Sequence, residues 1–380
     1  RRVLCRSDFT PMSMNMSTHA MNYGSWAGWD WLKANVPVMC NWDGGIDYFL
    51  DPDDYTKKAD GTNSDAANID YAGDAMAIVK KIYKKEYKVG NDRYVYFCER
   101  KVDDDFHAVG FNVLGKERDY MLIPMFYGSI DSNGKMRSIA GQWSCLTASG
   151  SAADSANGKA IGTAEQYTAI QAASGKALFF GGALTNTLAD ICILLSKSTD
   201  SQTAFGSGMC STYVEDKAQH YGTKINTVIG GGQFYGSNDN KSFNKIFHSC
   251  VMGSYMLWQR DPYMLLINGR IKVSPDYTYD LTGAKYLDTG VNLAKNGYYA
   301  TTQVVKDFGA VPNDEIACSS ATGYCDHTWV NAEISAVSLR FGTCYHGAGD
   351  GLWARPLNGV AAFAGWHYGA SKLLPAPAAA

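Results

Sequence analysis

The sequence predicts an α+β fold, with short strands around two helices and a smaller β-rich region at the N-terminus. Three features carry that expectation. Apolar and polar residues alternate between Ala75 and Lys101, two stretches between Thr163 and Lys197 have helical spacing, and the remainder is short apolar runs cut by Gly, Asn, Asp and Pro. No repeat of roughly 20 to 50 residues is evident.

Composition sets the bounds. A chain of 380 residues holds two or three average domains, or one large fold with an attached module, and 46% hydrophobic residues supply ample core. The net charge of −3 and the scattered Lys and Arg argue against a nucleic-acid or anionic-membrane partner. The best apolar run, Ala189 to Leu195, contains Asp190 and falls far short of the roughly 20 residues that span a bilayer. Ten cysteines (5, 40, 98, 145, 192, 210, 250, 318, 325, 344) form no CxxC pair, which favours reduced, mostly buried thiols. Their even number leaves a Cys318–Cys325 disulfide open.

In chain order, Ser25 to Asn35 reads as a short helix that starts on a capping Ser, buries Trp26 and Trp29, and ends before Pro37. Ile46 to Leu50 is a brief strand. The following DPDD at 51 to 54 opens a polar loop, and Tyr55 and Thr56 stand where an EF-hand needs an oxygen ligand and a Gly, so calcium is rejected there. Tyr83, Tyr87 and Val89 alternate with Lys84, Glu86 and Lys88, which predicts a hairpin whose lysines form the solvated face. A turn at Asp131 to Gly134 joins a strand over Tyr120 to Ser129 to one over Lys135 to Ile139. Thr163 is the expected cap of a helix over Ala164 to Ser174. A second helix, Leu184 to Lys197, carries Leu184, Leu188, Ile191 and Leu195 as one buried stripe. Gly230, Gly231 and Gly232 lack the GxGxxG-to-helix context of a phosphate cradle.

The most unusual stretch is Ala336 to Leu374. Between Val337 and Ser371 there is no Glu, Gln, Lys, Met or Ile, and the only formal charges are Arg340, Asp350 and Arg355. Glycines alternate with Tyr345, Trp353, Phe363, Trp366 and Tyr368, an alphabet suited to an adaptable binding surface because large rings bring contact area with few rotors to freeze. A Gly-rich run of short core strands is the plain alternative. Catalytic signatures are sparse. The seven histidines show no HExxH or HxH spacing, there is no GxSxG elbow, and Cys344 with His346 or His367 is the nearest nucleophile and base combination in sequence.

Two runs extend this reading. GKERDYMLIPMFYGSIDSNGKMRSIAG, and the ending SLRFGTCYHGAGDGLWARPLNGVAAFAGWHYGASKLL with the earlier YMLLINGRIKVSPDY, resemble the variable proteins of diversity-generating retroelements, over approximately Asp43 to Leu374. The resemblance implies a C-type-lectin-like fold of the formylglycine-generating-enzyme type. It also implies mutagenesis at adenines of Asn codons, which cannot reach Glu, Gln, Lys, Met or Trp. The first four are missing from the segment, the absence of Ile is unexplained, and Trp353 and Trp366 belong to the framework. Matched residue by residue, the variable, ligand-binding positions are Thr343, Tyr345, His346, Gly349, Asp350, Ala354, Arg355, Pro356, Asn358, Gly359, Phe363, Gly365 and His367. Gly351, Leu352, Trp353, Leu357 and Gly369 fall on scaffold positions. EPN, QPD and WND are absent, which speaks against a calcium-dependent lectin, and Cys344 has no partner cysteine nearby to support oxidase chemistry.

The division that follows is an N-terminal attachment region at 1–90, a lectin-like domain at 91–374 with variable segment 339–371, and a tail at 375–380. The implied role is a non-enzymatic adhesin at the tip of a phage tail fibre, on the virion or alternatively on a bacterial cell surface. It would bind a host cell-surface protein or glycan and other tail proteins, form a homo-oligomer with a trimer favoured, and use no cofactor, metal, nucleic acid or membrane insertion. A formylglycine-generating-type enzyme and a structural virion protein without receptor role are the alternatives.

Overall fold

The computed structural model describes residues 9–142, 144, 152–155, 158–211, 232–239, 243–365 and 367–377. Gly230, Gly231 and Trp366 lie outside the described residues. The fold is α+β, with two principal sheets. The first has strands β1 (Pro37–Asn41), β2 (Ile46–Phe49), β3 (Gly73–Lys80), β6 (Tyr120–Pro124), β7 (Leu178–Phe179) and β15 (Lys372–Pro375), in the order β7-β15-β6-β3-β1-β2, every pairing antiparallel. The second has β8 (Trp258–Ile267), β9 (Arg270–Val273), β10 (Leu287–Asn292) and β13 (Ala336–Arg340) in the order β10-β9-β8-β13, with β14 (Tyr368–Gly369) parallel to β8. Two hairpins stand apart: β4 (Tyr83–Val89) with β5 (Asp92–Cys98), and β11 (Ala300–Val305) with β12 (Gly309–Ile316).

The division expected at residue 90 falls in the turn of the β4–β5 hairpin, and strands from both sides of it share the first sheet. One continuous apolar core runs from Met12 to Leu374. The expected tail at 375–380 begins inside β15, where the Ala376 N–H still donates to the Tyr120 carbonyl at 3.1 Å. Among the described residues no helix is long and apolar enough to cross a membrane.

Local expectations met the structure unevenly. The Trp-rich stretch is not one helix: a 3₁₀ turn at Gly24–Trp26 and helix α1 (Asp30–Lys33) are separated by Trp29, whose backbone is extended so that Trp26, Trp29 and Trp31 all turn inward. Helix α2 (Thr163–Ala173) is capped one residue earlier than expected, at Gly162, whose N–H donates to Glu165 Oε2 at 2.9 Å. The strand expected over Tyr120 to Ser129 stops at Pro124, and a two-residue pairing of Ser129–Ile130 with Met136–Arg137 closes the 131–134 turn. Cys318 and Cys325 are both free thiols.

Helix α3 (Gly182–Ser196) departs furthest from its expected single stripe. Leu184, Leu188, Ile191 and Leu195 are fully buried, but so are Thr185, Asn186, Thr187 and Asp190. A helix covered on nearly every side belongs to the interior, and its polar groups then require partners. Asn186 Nδ2 donates to the Phe308 carbonyl at 3.0 Å and Thr187 Oγ1 to that of Val109 at 3.0 Å. Asp190 takes a bidentate pair from Arg93 at 2.6 and 2.7 Å, and Lys84 Nζ lies 2.6 Å from Oδ2, one of the same two oxygens. The β4–β5 hairpin is consequently inverted relative to expectation. Lys84, Glu86 and Arg93 face the helix, whereas Tyr87, Tyr94 and Val89 face solvent, because a buried carboxylate on α3 outweighs the ordinary preference of lysine for water.

Candidate functional site

The C-terminal segment leaves β13 through Phe341, which has a left-handed backbone (φ 74) and bridges back to Gly351; the Gly351 N–H donates to the Phe341 carbonyl at 2.7 Å. This closes residues 342–350 into a loop. Asp350 Oδ2 accepts the Thr343 N–H at 3.1 Å across the loop. Gly342 packs so tightly on Asp350 that a Cβ there would lie 2.5 Å from the carboxyl carbon, and at Gly351 it would lie 2.2 Å from Asp326 Oδ1. Asp326 in turn accepts the Trp353 N–H at 2.7 Å. Burial pushes both the Asp326 and the Asp350 carboxyls well up.

Beneath the segment two arginines are wholly interior. Arg340 pairs with Asp261 and donates to Asn186 Oδ1 at 2.7 Å, while Asp261 also accepts the first N–H of α3, from Gly182, at 2.8 Å. Arg355 donates to the same Asn186 oxygen at 2.9 Å and to the carbonyls of Leu352 and Ala354 at 3.1 and 2.8 Å. The Trp353 ring lies between this centre and the hairpin, 5.4 Å from the guanidinium carbons of both Arg355 and Arg93.

The thirteen expected ligand-binding positions divide on this framework. Thr343, Gly349, Asp350, Ala354, Arg355, Pro356 and Gly365 are buried, so an outward, ligand-facing role does not fit them: their environments are hydrogen-bonded or close-packed protein. Tyr345, His346, Asn358, Gly359, Phe363 and His367 reach the surface. Of the scaffold positions, Gly351, Leu352, Trp353, Leu357 and Gly369 are all buried. Cys344 is buried, with its N–H on the Met256 carbonyl, and the His346 imidazole stacks away on Trp329.

The accessible rings form one continuous array. Tyr299 meets His327 edge-on at 4.9 Å, His327 meets Trp329 at 4.4 Å, and Trp329 stacks on His346 at 4.7 Å. His346 meets Tyr345 at 4.4 Å, Tyr345 meets His367 at 5.5 Å, and Phe363 and Tyr368 close the row against His367. Trp258 of β8 supports it from below, 5.5 Å from Trp329. Sequence reasoning missed Tyr299, His327, Trp329 and Trp258. The alternation of His327 and Trp329 in an extended stretch was the available signal, since residues two apart share a face.

Electrostatically the face is neutral at pH 7. Burial lowers His346 to about 4, with His327 adding to the effect; burial also lowers His367 to about 4, with His346 and Arg260 adding, and lowers His327. The Nδ1 of His327 has no hydrogen-bond partner among the described residues, and that of His346 lies 3.9 Å from Asp350 Oδ1. Among the described residues no three His, Cys, Asp or Glu side chains group as a metal site. The arrangement offers flat aromatic surface beside neutral imidazoles that can donate or accept hydrogen bonds.

No family model matches the chain, and no curated protein matches it.

Proposed function

We propose that this chain is a ligand-binding display protein of the diversity-generating-retroelement type. In this reading it has a C-type-lectin-like fold and serves as the receptor-binding adhesin at the tip of a phage tail fibre, where it recognises a host cell-surface protein or glycan. The observation that carries the reading is the continuous row of rings from Tyr299 to Phe363 on a face without formal charge, held over an interior fixed by Arg340, Arg355 and Asn186. Side chains at Tyr345, His346, Asn358, Phe363 and His367 then change what is bound without disturbing what holds the backbone. Several copies on one particle add avidity to a modest single-site affinity.

The test is competition for adsorption. Purified chain should block particle adsorption to host cells, and the double variant Tyr345→Ala, Phe363→Ala should lose at least about tenfold in blocking while its melting temperature stays put, as expected for two exposed anchors. Equal blocking by the variant would overturn the reading. A nearby non-coding near-copy of the gene's 3′ end, differing only at adenines, is the expected genetic counterpart.

A further inference from the structure

Lysine and aspartate are almost never fully buried unless paired, and one such pair joins the β4–β5 hairpin to helix α3. The Lys84 side chain is 0% exposed and that of Asp190 2%, and Lys84 Nζ lies 2.6 Å from Asp190 Oδ2. Glu86 Oε2 is 3.1 Å from the same nitrogen. Although Nζ stands at ion-pair distance from both carboxylates, it makes no hydrogen bond among the described residues. It is close to Asp190 without the alignment that a hydrogen bond requires, and a nitrogen this near one carboxyl oxygen is also near the carboxyl carbon.

The groups around this contact supply what a condensation needs. Arg93 donates to both Asp190 oxygens, at 2.6 and 2.7 Å, so negative charge developing on Oδ1 stays paired. Glu86 Oε2 and Asp190 Oδ2 share two neighbours, Lys84 Nζ and Arg93 Nη2, which sets them side by side for proton exchange. Asp190 and Arg93 also line a cavity of about 290 Å³ with Thr199 and Tyr324, into which a water can leave. Burial favours the neutral acid at Asp190, but Arg93 and Lys84 outweigh it, which makes the first proton transfer the slow step. Proximity works the other way, because effective concentrations in well-oriented intramolecular reactions reach about 10⁵–10⁸ M.

We propose that Lys84 and Asp190 condense to an intramolecular isopeptide bond, with Glu86 as the proton relay. Glu86 takes a proton from the Lys84 ammonium, and the free amine attacks Asp190 Cγ. The Nζ–Cγ bond forms, the Cγ–Oδ2 bond breaks, and both protons that the nitrogen loses end on Oδ2, which departs as water. No electron donor or acceptor is required. Two cations and two carboxylates become the single Arg93–Glu86 pair, so the interior stays balanced in charge. The ion cluster is then the precursor of a covalent tie between α3 and a hairpin that belongs to neither principal sheet. The bond is independent of the ring face, and its failure would leave the adhesin reading untouched.

Intact-mass spectrometry of the full chain, held folded at neutral pH and then denatured, reads the reaction directly. The expected result is loss of one water from the sequence mass and, after proteolysis, a branched peptide joining Lys84 to Asp190. Glu86→Gln, with its fold checked by near-ultraviolet circular dichroism, should form that branch at least about a hundredfold more slowly, as expected when a positioned acid–base group is lost. Lys372 with Asp74, the other buried Lys–Asp contact among the described residues, has no second carboxylate at its nitrogen there and should yield no branch. A parent chain that keeps its full sequence mass overturns the proposal by itself, even if Glu86→Gln fails to fold. A water lost as a succinimide instead of a branched peptide, an equal rate in folded Glu86→Gln, or a branch at Lys372 and Asp74 overturns it as well.

Discussion

The β4–β5 hairpin and the C-terminal segment both turn charge inward onto helix α3 and aromatic rings outward, one helical turn apart at Asp190 and Asn186. They balance that charge differently. At Asp190 two cations, Lys84 and Arg93, meet two carboxylates, Asp190 and Glu86, and although burial alone would raise Asp190, Arg93 and Lys84 bring it below its ordinary value. At Asn186 two arginines share one neutral amide oxygen, only Arg340 touches a carboxylate, and burial together with Arg340 pushes Arg355 well down. The hairpin centre is a closed ion cluster, whereas the segment centre depends on carbonyl and amide oxygens arranged by the backbone. The first tolerates little change in charge, and the second little change in backbone path.

Removing the keystone of the closed cluster should therefore cost most. Asp190→Ala leaves Lys84 and Arg93 buried with Glu86 alone and is expected to cost about 3–5 kcal/mol in denaturant unfolding; a loss similar to that of an exposed substitution would show that the cluster is not a unit. Asn186→Ala removes the oxygen that both arginines share, with an expected cost of about 2–3 kcal/mol. Crossing it with Arg355→Met should give strong non-additivity, and simple additivity would show that the shared oxygen does not couple to Arg355.

Acid provides a third probe. Burial and Lys245 lower His248 to about 3, so between its unfolded value near 6.5 and that folded value the unfolded chain binds a proton the native chain refuses. Its contribution is complete above about pH 6.5 and is lost as pH falls toward 3, by about 3 kcal/mol at pH 4.5. His346 and His367 have the same sign, while Asp326 and Asp350, raised by burial, run the other way. His248→Asn isolates the first effect, since Asn accepts the left-handed backbone there (φ 64); its unfolding midpoint should fall less between pH 7.5 and 4.5 than that of the parent chain. The smallest effect is expected at the rings: Tyr345→Ala and Phe363→Ala should each change stability by no more than about 0.5 kcal/mol, because both side chains are exposed.

Local pattern made part of this legible. The hairpin, helix α3 and strand β2 stand where alternation, 3.6-residue spacing and flanking turn residues place them. The facing of the hairpin was not legible, because it is decided by Asp190, roughly a hundred residues away, and alternation alone cannot say which of two faces finds a buried counter-charge. The ring face was half legible for a similar reason. Tyr345, His346, Phe363 and His367 lie in the compositionally odd segment, but Trp258 comes from β8, and His327 and Trp329 come from a stretch that reaches the segment through backbone hydrogen bonds with Gly349, Arg355 and Leu357. Arg355 and Asp350 share the segment's alphabet with its exposed residues, and only their packing separates them.

Strand β15 has a consequence for how such a chain is made. It is the last strand, yet it lies within the first sheet, with β6 on one side and β7 on the other, and Lys372 on it completes the buried Asp74–Arg137 centre. The ring-bearing segment is thus anchored in the second sheet by β13 at its start and in the first sheet by β15 at its end. A chain that stops early, or loses its reading frame anywhere in that segment, leaves β6 and β7 unjoined and Asp74 short of a counter-ion. Completion of the first sheet thus depends on the chain being read in frame through the whole segment.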